Sequence, residues 1–335
     1  MMNIDVHTHI VPESFPPVGN RPAGDLWPKM ESQGLDDAGL EKSNVVISGR
    51  NFRTVLDRCW SSQRRIDEMP SEGFDKQVLS PMPELLAYRL APDDGLALSR
   101  VLSETIARMM DYDPNRFFGL GAVPLQDVDL ACRELSNIKS LGLQGVEILS
   151  NIQGISPGDP KFLPFFKEAE SLGTSIFIHS QHPTFGERIE GPPVWNNAVG
   201  FPIESALAGA SLIGGGVLKE CPELRVCMSH GGGTLAQILP RLDYFWGVTG
   251  PSDLFPDPPS TYAKKLFYDD ILFNNQSLRF LIDSVGSSQI MLGSDYPFQF
   301  RPQKPDDQFI DLKLTKSEIE GLSHTNCLRF LGLLD

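Results

Sequence analysis

Eight short apolar runs recur along the chain, and longer segments with helical spacing of apolar residues separate them. The runs are NIDV (3–6), QVLSPM (77–82), FFGLGAV (117–123), GVEIL (145–149), SIFIHS (175–180), RVCMSH (225–230), LFYD (266–269) and QIMLGSD (289–295). Short runs that are apolar almost throughout are typical of parallel strands buried on both faces. Strands of this kind alternating with helices predict an α/β fold, a (β/α)8 TIM barrel, rather than an open doubly wound sheet.

Amphipathic segments occupy the intervals between these runs. They span residues 97–113, 129–142, 164–173, 234–246, 277–286 and 315–333. The last segment opens with Thr315 and Glu318, the spacing of a helix capping box. No GxGxxG motif opens a helix after the first run, so a dinucleotide-binding fold is not expected. Barrels of this class commonly take up a chain of 335 residues, so we predict one domain over residues 1–335.

Residues 10–60 interrupt the alternation. They are too many for a simple connection, are rich in Pro, Gly and Asp, and include a predicted hairpin at 44–55. An insertion after the first strand would lie over the carboxyl-terminal mouth of the barrel, where active sites of this fold are found. We therefore interpret residues 10–60 as a lid. A second long stretch, 183–203, would overhang the same mouth.

The charge balance narrows the choice of partners. The chain has 29 Lys and Arg against 43 Asp and Glu, a net charge of −14, which argues against nucleic acid and anionic membranes. A small carboxylate substrate stays compatible, because a local pair of arginines can reverse the field inside a cleft. The five cysteines are scattered without a CxxC spacing and predict reduced thiols and a cytoplasmic location. No apolar stretch is long enough for a membrane span, and no signal-peptide pattern is present.

Polar residues gather at the carboxyl ends of the predicted strands. Five of the six histidines are there, and Asp295 ends the eighth strand. The histidines are His7 and His9 on strand one, His179 and His182 after strand five, and His230 on strand six. Because the carboxyl ends of barrel strands meet at one mouth, these side chains should lie close together.

His7 and His9 are two residues apart, so they face the same side of a strand. Imidazole is the commonest zinc ligand, and a carboxylate such as Asp295 completes a site of this type. Three histidines and one aspartate leave a position for water, whose pKa the ion would lower to near neutral. We expect Zn²⁺, with Mn²⁺ as the alternative. His179 or His182 is the third imidazole, and His179 is preferred because it continues the strand directly.

The ordered set resembles the metal-dependent amidohydrolase superfamily, in which HxH ends strand one, histidines end strands five and six, and aspartate ends strand eight. Several local patterns are similar to the branch of aminocarboxymuconate-semialdehyde decarboxylase (ACMSD). They are DVHTH, FRTVLDRCW followed by RIDEM, RFFGLGAVPLQ, SHGGGT, GSDYPF and NCLRFLGL. The resemblance implies four metal ligands, His7, His9, His179 and Asp295. It also implies that His230 is the catalytic acid/base, with Asp295 counted among the catalytic residues.

The resemblance further implies how a substrate is bound. Two arginines would hold its carboxylates, Arg53 in FRTV and Arg241 eleven residues after His230. In the family's homodimers the second arginine can serve the neighbouring subunit, so Arg241 would act in its own subunit or in a partner. After the strand-five histidine the family often has HPW, whereas this chain has HSQHPTF. We expect Trp195 of the same loop to approach the pocket instead. Glu147 on strand four either bridges a second metal or, as we prefer, is hydrogen-bonded near a single one.

Together these features predict a non-oxidative decarboxylase of an unsaturated or aromatic carboxylic acid, a role in aromatic compound catabolism. The alternative on the same scaffold is a metal-dependent hydrolase of a C–N or lactone bond. A non-catalytic metal- or ligand-binding protein is a third interpretation. The glycines of SHGGG either offer N–H groups to the site or form a tight turn into the next helix.

Overall fold

A computed structural model describes residues 2–86, 88–298, 304–305, 309 and 312–334 of the chain. Eight parallel strands form a nearly closed barrel in the order β1-β5-β6-β7-β8-β9-β10-β11. They are β1 (Ile4–Ile10), β5 (Lys76–Pro81), β6 (Phe117–Gly121), β7 (Gly145–Leu149), β8 (Ser175–His179), β9 (Val226–Met228), β10 (Phe267–Asp269) and β11 (Ile290–Met291). Each predicted strand is present, and the predicted TIM barrel is confirmed.

The apolar runs become strands because both of their faces are buried. Val6, Val78, Leu120 and Phe177 come from four different barrel strands and pack in one cluster with Phe330 near the carboxyl terminus. A cluster that joins opposite sides of the barrel fills its interior. A larger cluster packs the outer faces of the strands against the helices. Between β1 and β11 the ring is linked by the Val6 N–H, which donates to the Leu292 carbonyl oxygen at 2.9 Å.

The helices lie between the strands in chain order. They are α1 (Ser62–Glu72), α2 (Pro92–Tyr112), α3 (Val128–Ser140), α4 (Leu163–Ser171), α5 (Phe201–Gly214), α6 (Val217–Glu220), α7 (Leu235–Thr249), α8 (Pro259–Ala263), α9 (Asn275–Val285), α10 (Lys316–Glu320) and α11 (Asn326–Phe330). Across the described ranges, no helix is both long and apolar enough to cross a membrane.

Four of these helices had no counterpart among the predicted ones: the short helices α6 and α8, and the longer helices α1 and α5. α1 is mostly polar and contains Pro70, so its apolar spacing is weak. α5 has apolar residues and glycines on most of its faces, so its sequence shows no clear helical period. It also begins inside the long stretch 183–203, which we expected to overhang the mouth. The predicted capping box is confirmed, because Thr315 and Glu318 exchange side-chain to backbone hydrogen bonds. A π-helical segment at Gly321–Thr325 then separates α10 from α11.

Residues 10–60 contain a separate antiparallel sheet of three strands, β2 (Lys29–Leu35), β3 (Glu41–Ile47) and β4 (Arg50–Leu56). The predicted hairpin corresponds to β3 and β4. Its two-residue turn has positive φ at both positions, 57° at Ser48 and 69° at Gly49, as a tight hairpin turn requires. The sequence analysis missed β2 because that strand is almost wholly exposed and polar.

Candidate metal centre

The predicted ligands converge at the carboxyl-terminal mouth of the barrel. His7 and His9 lie on β1, His179 is the last residue of β8, and Asp295 follows β11. One donor atom of each lies within 4.8 Å of the other three. His9 Nε2 is 3.0 Å from both His7 Nε2 and Asp295 Oδ1. An arrangement of three imidazoles and one carboxylate at these distances suits a single divalent cation.

The other ring nitrogen of each histidine is held by an acceptor. The three contacts are His7 Nδ1 to Asp269 Oδ2 at 2.6 Å, His9 Nδ1 to the Pro81 carbonyl oxygen at 3.1 Å, and His179 Nδ1 to the Ser180 carbonyl oxygen at 2.8 Å. With a proton on each Nδ1, three Nε2 lone pairs point to one centre. Such lone pairs repel unless a cation lies between them, and the buried His179 Nε2 has no hydrogen-bond partner among the described residues. The residues therefore fit a bound divalent cation.

The backbone around Asp295 aims its carboxylate at β1. Asp295 has φ of 61°, and its N–H donates to the His7 carbonyl oxygen at 2.9 Å. A Cβ on Gly293 would come within 3.1 Å of the Cβ atoms of both His7 and Asp269. The glycine of GSD is therefore explained by the close approach of this segment to the ligand strands.

A buried arginine outside the predicted set supports the ligand strand. Arg65 of α1 is fully buried and donates to the His9 carbonyl oxygen and, at 3.2 Å, to Gln77 Oε1. These bonds fix the backbone from which His7 and His9 project. Arg65 is the first residue of the RIDEM pattern, but the polar sequence of α1 does not show that this arginine is buried.

Asp269 is the main residue at the site that the sequence analysis missed. It ends β10 and is fully buried. Besides holding His7, it accepts the backbone N–H of His230 at 2.9 Å and of Gly231 at 2.8 Å. Burial opposes its ionisation, but the hydrogen bond and charge of His7 hold the pKa of Asp269 below its usual value. The sequence did contain an indication of Asp269, because it is an acidic residue at the carboxyl end of the predicted strand LFYD, as the candidate ligands are at the ends of theirs.

His230 lies beside the ligands but is not one of the four converging donors. Its ring centroid is 5.2 Å from that of His7 and 5.1 Å from that of His179. Its Nδ1 is buried and has no hydrogen-bond partner among the residues that the structure describes. Burial, together with the nearby His7, lowers the pKa of His230. His230 therefore lies beside the candidate ligands with one ring nitrogen unpaired among the described residues.

The glycines after His230 form a tight turn. Gly231, Gly232 and Gly233 have φ of 59°, 69° and 61°, and a Cβ on Gly233 would lie 2.0 Å from the Pro202 carbonyl oxygen. Their N–H groups are used within the turn or by Asp269. Of the two alternatives for SHGGG, the turn into the next helix is the one observed.

Of the three residues left open by the sequence, His179 belongs to the ligand cluster, whereas His182 and Glu147 lie outside it. His179 joins the ligand cluster, whereas His182 has φ of 49° and lines a neighbouring cavity. Glu147 is fully buried, 3.9 Å from His9 Nδ1, and its oxygens have no hydrogen-bond partner within the described part of the chain. Burial raises the pKa of Glu147 to about 7. It lies outside the cluster of converging donors.

Two adjoining cavities reach the metal centre. A polar cavity of about 450 Å³ is lined by Arg53, Glu84, Gln181, His182, Asn196 and Asn197, besides His9, His179 and Asp295. An apolar cavity of about 310 Å³ is lined by Val194, Ala198, Pro202, Ile271, Leu272 and Phe273, besides His230 and Asp295. A molecule at the metal centre therefore has polar groups on one side and apolar groups on the other.

Arg53 reaches the polar cavity from β4. Its Nη2 atom is 2.6 Å from Glu84 Oε1, and its Cζ atom lies 4.3 Å from the centre of the Phe298 ring. The predicted arginine is therefore beside the metal ligands, but it already has a carboxylate partner. The sequence analysis missed Glu84 and Phe298. The sequence could have indicated Glu84, because it is an acidic residue shortly after the carboxyl end of β5.

The other two predicted substrate-binding residues, Arg241 and Trp195, lie outside both cavities. Arg241 is exposed on α7, with its Cζ atom 5.0 Å from the Phe245 ring centre. Trp195 is 45% exposed and packs against Gly191. Neither lines the polar or the apolar cavity.

Comparison with known proteins places the chain in a family. A family model described as amidohydrolase matches residues 4–333. A 2-amino-3-carboxymuconate-6-semialdehyde decarboxylase from Dictyostelium discoideum is 34% identical over 99% of this chain and 92% of that protein. The solved structure of 5-carboxyvanillate decarboxylase from Sphingomonas paucimobilis has a TM-score of 0.77 at 22% identity, covering 99% of each chain. A dihydroxybenzoic acid decarboxylase from Polaromonas sp., solved with bound manganese and an inhibitor, has a TM-score of 0.76 at 19% identity over 99% of this chain and 97% of that one.

These relatives agree with the expectations from sequence. The named relatives are decarboxylases, which supports the decarboxylase prediction over the hydrolase alternative. The solved structures share the barrel over nearly the whole chain. Because the family model spans all but the first and last few residues, this protein belongs to the amidohydrolase family.

Proposed function

We propose that this protein is a metal-dependent, non-oxidative decarboxylase of an unsaturated or aromatic carboxylic acid. The observation that carries the proposal is the convergence of His7, His9, His179 and Asp295 beside a free acid/base, His230. The decarboxylase activity named for the relative with 34% identity supports it. The family's hydrolases use similar ligands, so the product of the reaction decides between the two.

The proposed roles follow from where each side chain lies. Arg53 binds the carboxylate of the substrate through charge-assisted hydrogen bonds in the polar cavity. Leu272 and Phe273 contact the unsaturated or aromatic part in the apolar cavity. His7, His9, His179 and Asp295 would hold a divalent cation, which would supply Lewis-acid chemistry at a substrate oxygen.

His230 completes the reaction by moving a proton. The bond between the carboxyl carbon and its neighbour breaks, CO2 leaves, and the electron pair stays on the neighbouring carbon. His230, whose lowered pKa favours the neutral ring, first takes up a proton from solvent and then delivers it to the vacated position on that carbon. Asp269 orients His230 by accepting its backbone N–H at 2.9 Å.

We propose Zn²⁺ as the resident ion, with Mn²⁺ as the alternative. Three imidazoles favour zinc. The manganese in the Polaromonas structure supports the alternative. Metal analysis of the purified protein, followed by reconstitution of chelated protein with each ion, separates the two. Full activity with manganese alone would contradict the zinc assignment.

We propose that residues 10–60 act as a lid and that the protein forms a homodimer. Arg53 supports the lid, because it extends from β4 into the polar cavity. Exposed apolar side chains on two neighbouring helices support the dimer. They are Ile203 and Leu207 on α5 and Tyr244, Phe245 and Val248 on α7. Arg241 lies on α7 beside Phe245 of this surface, and we propose that in a dimer it serves the site of a partner.

Light scattering tests the dimer. Val248 is 67% exposed, and Val248→Glu is expected to yield monomers, whereas Leu333→Glu, at another exposed position, leaves dimers intact. A wild-type monomer at micromolar concentration would contradict the assignment. A cytoplasmic location is also proposed, and the five free thiols support it.

A screen of carboxylic acids tests the function. Zinc-loaded protein is incubated with aromatic and muconate-type acids, and CO2 release and absorbance loss are followed. Turnover is expected in the wild type and is expected to disappear in His230→Ala protein that keeps its metal. Hydrolysis of an ester or amide panel without CO2 from any acid would overturn the proposal in favour of the hydrolase.

A further inference from the structure

Tyr296 of the GSDYPF pattern lies directly after Asp295 and is almost fully buried. Its hydroxyl donates to Glu68 Oε2 at 2.7 Å, and its ring centre lies 4.9 Å from Arg65 Cζ. Glu68 and Arg65 share a face of α1, because residues three apart on a helix are neighbours. One helix therefore contacts this tyrosine both at its ring and at its hydroxyl.

The backbone of the same segment is bonded to the end of β1. The Tyr296 carbonyl oxygen accepts the His9 N–H at 2.7 Å, and the Asp295 N–H donates to the His7 carbonyl oxygen. Tyr296 also forms an isolated parallel bridge with Thr8. The segment that carries the Asp295 carboxylate is thus held by β1 through its backbone and by α1 through the Tyr296 side chain.

Arg65 connects the two segments that carry candidate ligands. Its guanidinium donates to the His9 carbonyl oxygen and, at 3.4 Å, to Thr8 Oγ1, while it lies over the Tyr296 ring. A guanidinium is attracted to an aromatic face most strongly where water is excluded, and Arg65 is fully buried. A single side chain therefore contacts both the end of β1 and the residue after Asp295.

Glu68, the acceptor of the Tyr296 hydroxyl, is held in turn. Its Oε1 atom accepts a hydrogen bond from Arg58 Nη2 at 3.0 Å, which is a charge-assisted contact. The carboxylate of Glu68 cannot turn away from Tyr296 without weakening that ion pair. The hydroxyl of Tyr296 therefore has a charged acceptor in a fixed position.

The conformation of Asp295 needs such support. Asp295 has φ of 61°, a left-handed conformation that persists in a non-glycine residue where the surrounding contacts hold it. Its Oδ1 atom is 3.0 Å from His9 Nε2 and 3.6 Å from His7 Nε2. Relaxation of this backbone would move the carboxylate oxygen away from both imidazoles and would weaken the metal site that they share.

We propose that Tyr296 is a positioning residue that holds Asp295 in place for the metal ion by anchoring it to Glu68 and Arg65. The inference rests on the proposed function, because the metal centre that it serves is the one assigned there. Tyr296 lines neither cavity, so it acts through Asp295 alone.

Tyr296→Phe tests the proposal, because it removes only the hydroxyl that Glu68 accepts. The affinity for Zn²⁺, measured by competition with a chelator dye, is expected to fall about tenfold. The visible absorption spectrum of cobalt-substituted protein depends on the geometry of the ligands and is expected to shift. Neither measurement requires turnover of a substrate.

Tyr268 provides the matched control. It is buried, and its hydroxyl donates to the Ala263 carbonyl oxygen at 2.8 Å. Adjacent side chains of a strand point to opposite faces, so Tyr268 faces away from the neighbouring Asp269. Tyr268→Phe removes a similar hydrogen bond and is expected to keep the wild-type zinc affinity and cobalt spectrum. An equal loss in both variants would trace the effect to general destabilisation and would overturn the proposal.

Glu68→Ala tests the anchor from its other side. It is expected to lower the zinc affinity about as much as Tyr296→Phe does. The double variant is expected to lose no more than either single variant, because both substitutions remove the same contact. Losses that add up in the double variant would show two independent effects and would contradict the anchor.

Failure of this inference can be told apart from failure of the proposed function. If wild-type protein binds zinc and releases CO2 from an acid, but Tyr296→Phe keeps the wild-type affinity and spectrum, the positioning role is wrong and the decarboxylase function stands. If wild-type protein binds no divalent ion and decarboxylates no acid, the proposed function fails together with the positioning role.

Discussion

The metal centre and the wall of the polar cavity are built in different ways. The candidate ligands of the metal centre lie on barrel strands, His7 and His9 on β1 and His179 at the end of β8, or, for Asp295, in the segment that follows β11. The cavity wall joins Arg53 of the inserted sheet, Glu84 after β5 and Asn197 of the π-helical segment before α5. The first region is held by the barrel itself, whereas the second depends on contacts between segments far apart in the chain. Metal binding and substrate selection should therefore respond to different substitutions.

Loss of a ligand should have the largest effect. His179→Ala removes an imidazole whose Nε2 has no hydrogen-bond partner in the described part of the chain, so the cation is expected to be lost and activity to fall by about a thousandfold or more. Metal analysis and CO2 release measure both effects. His182→Ala is the matched control, because His182 lies three residues away outside the ligand cluster. It should retain its metal, and loss of metal from His182→Ala alone would reverse the ligand assignment.

A substitution behind the ligands should have a smaller effect in the same region. Asp269→Asn keeps the shape but loses the charge that holds His7 Nδ1 at 2.6 Å. Metal affinity is expected to fall about 10- to 100-fold, as measured by competition with a chelator dye. Wild-type affinity in this variant would show that Asp269 supports only the turn at His230.

The cavity wall should respond in substrate binding alone. Arg53→Lys keeps the positive charge but loses the planar fork, so KM for the acid is expected to rise about tenfold while the metal content is unchanged. Arg50→Lys, on the exposed part of the same strand, should leave KM unchanged. An equal loss of metal in Arg53→Lys would erase the distinction between the two regions.

The smallest effect is expected at the turn of the inserted sheet. Gly49 has φ of 69°, and a Cβ there would meet nothing within 4 Å, so Gly49→Ala adds only backbone strain. The substitution is expected to destabilise the sheet that carries Arg53 by about 1 kcal/mol of unfolding free energy. Hydrogen exchange should quicken in β3 and β4 and stay unchanged at β1. Quicker exchange at β1 as well would show that the insertion and the barrel unfold together.

The same division explains what could be predicted from the sequence. The strands and the convergence of His7 and His9 follow from a two-residue period and from the rule that barrel strands end at one mouth. These depend on local sequence and on the topology that it implies. The convergence of the four candidate ligands could therefore be predicted from the sequence.

The missed features depend on pairing over long distances. Glu84 contacts Arg53 thirty-one residues away, and Asp269 contacts His7 across 262 residues. Nothing near Glu84 in the sequence indicates that an arginine of another sheet approaches it. α5 was missed for a different reason, since its apolar residues leave no polar face to mark a helical period.

One measurement tests the central claim most directly: turnover of an accepted acid in D2O, with CO2 counted and the product analysed by mass spectrometry. A metal-dependent decarboxylase with His230 as proton donor predicts one CO2 for each acid consumed and one deuterium on the vacated carbon. Both should disappear on chelation and return with added metal. A product that keeps its carboxylate and gains the mass of heavy water would contradict the account.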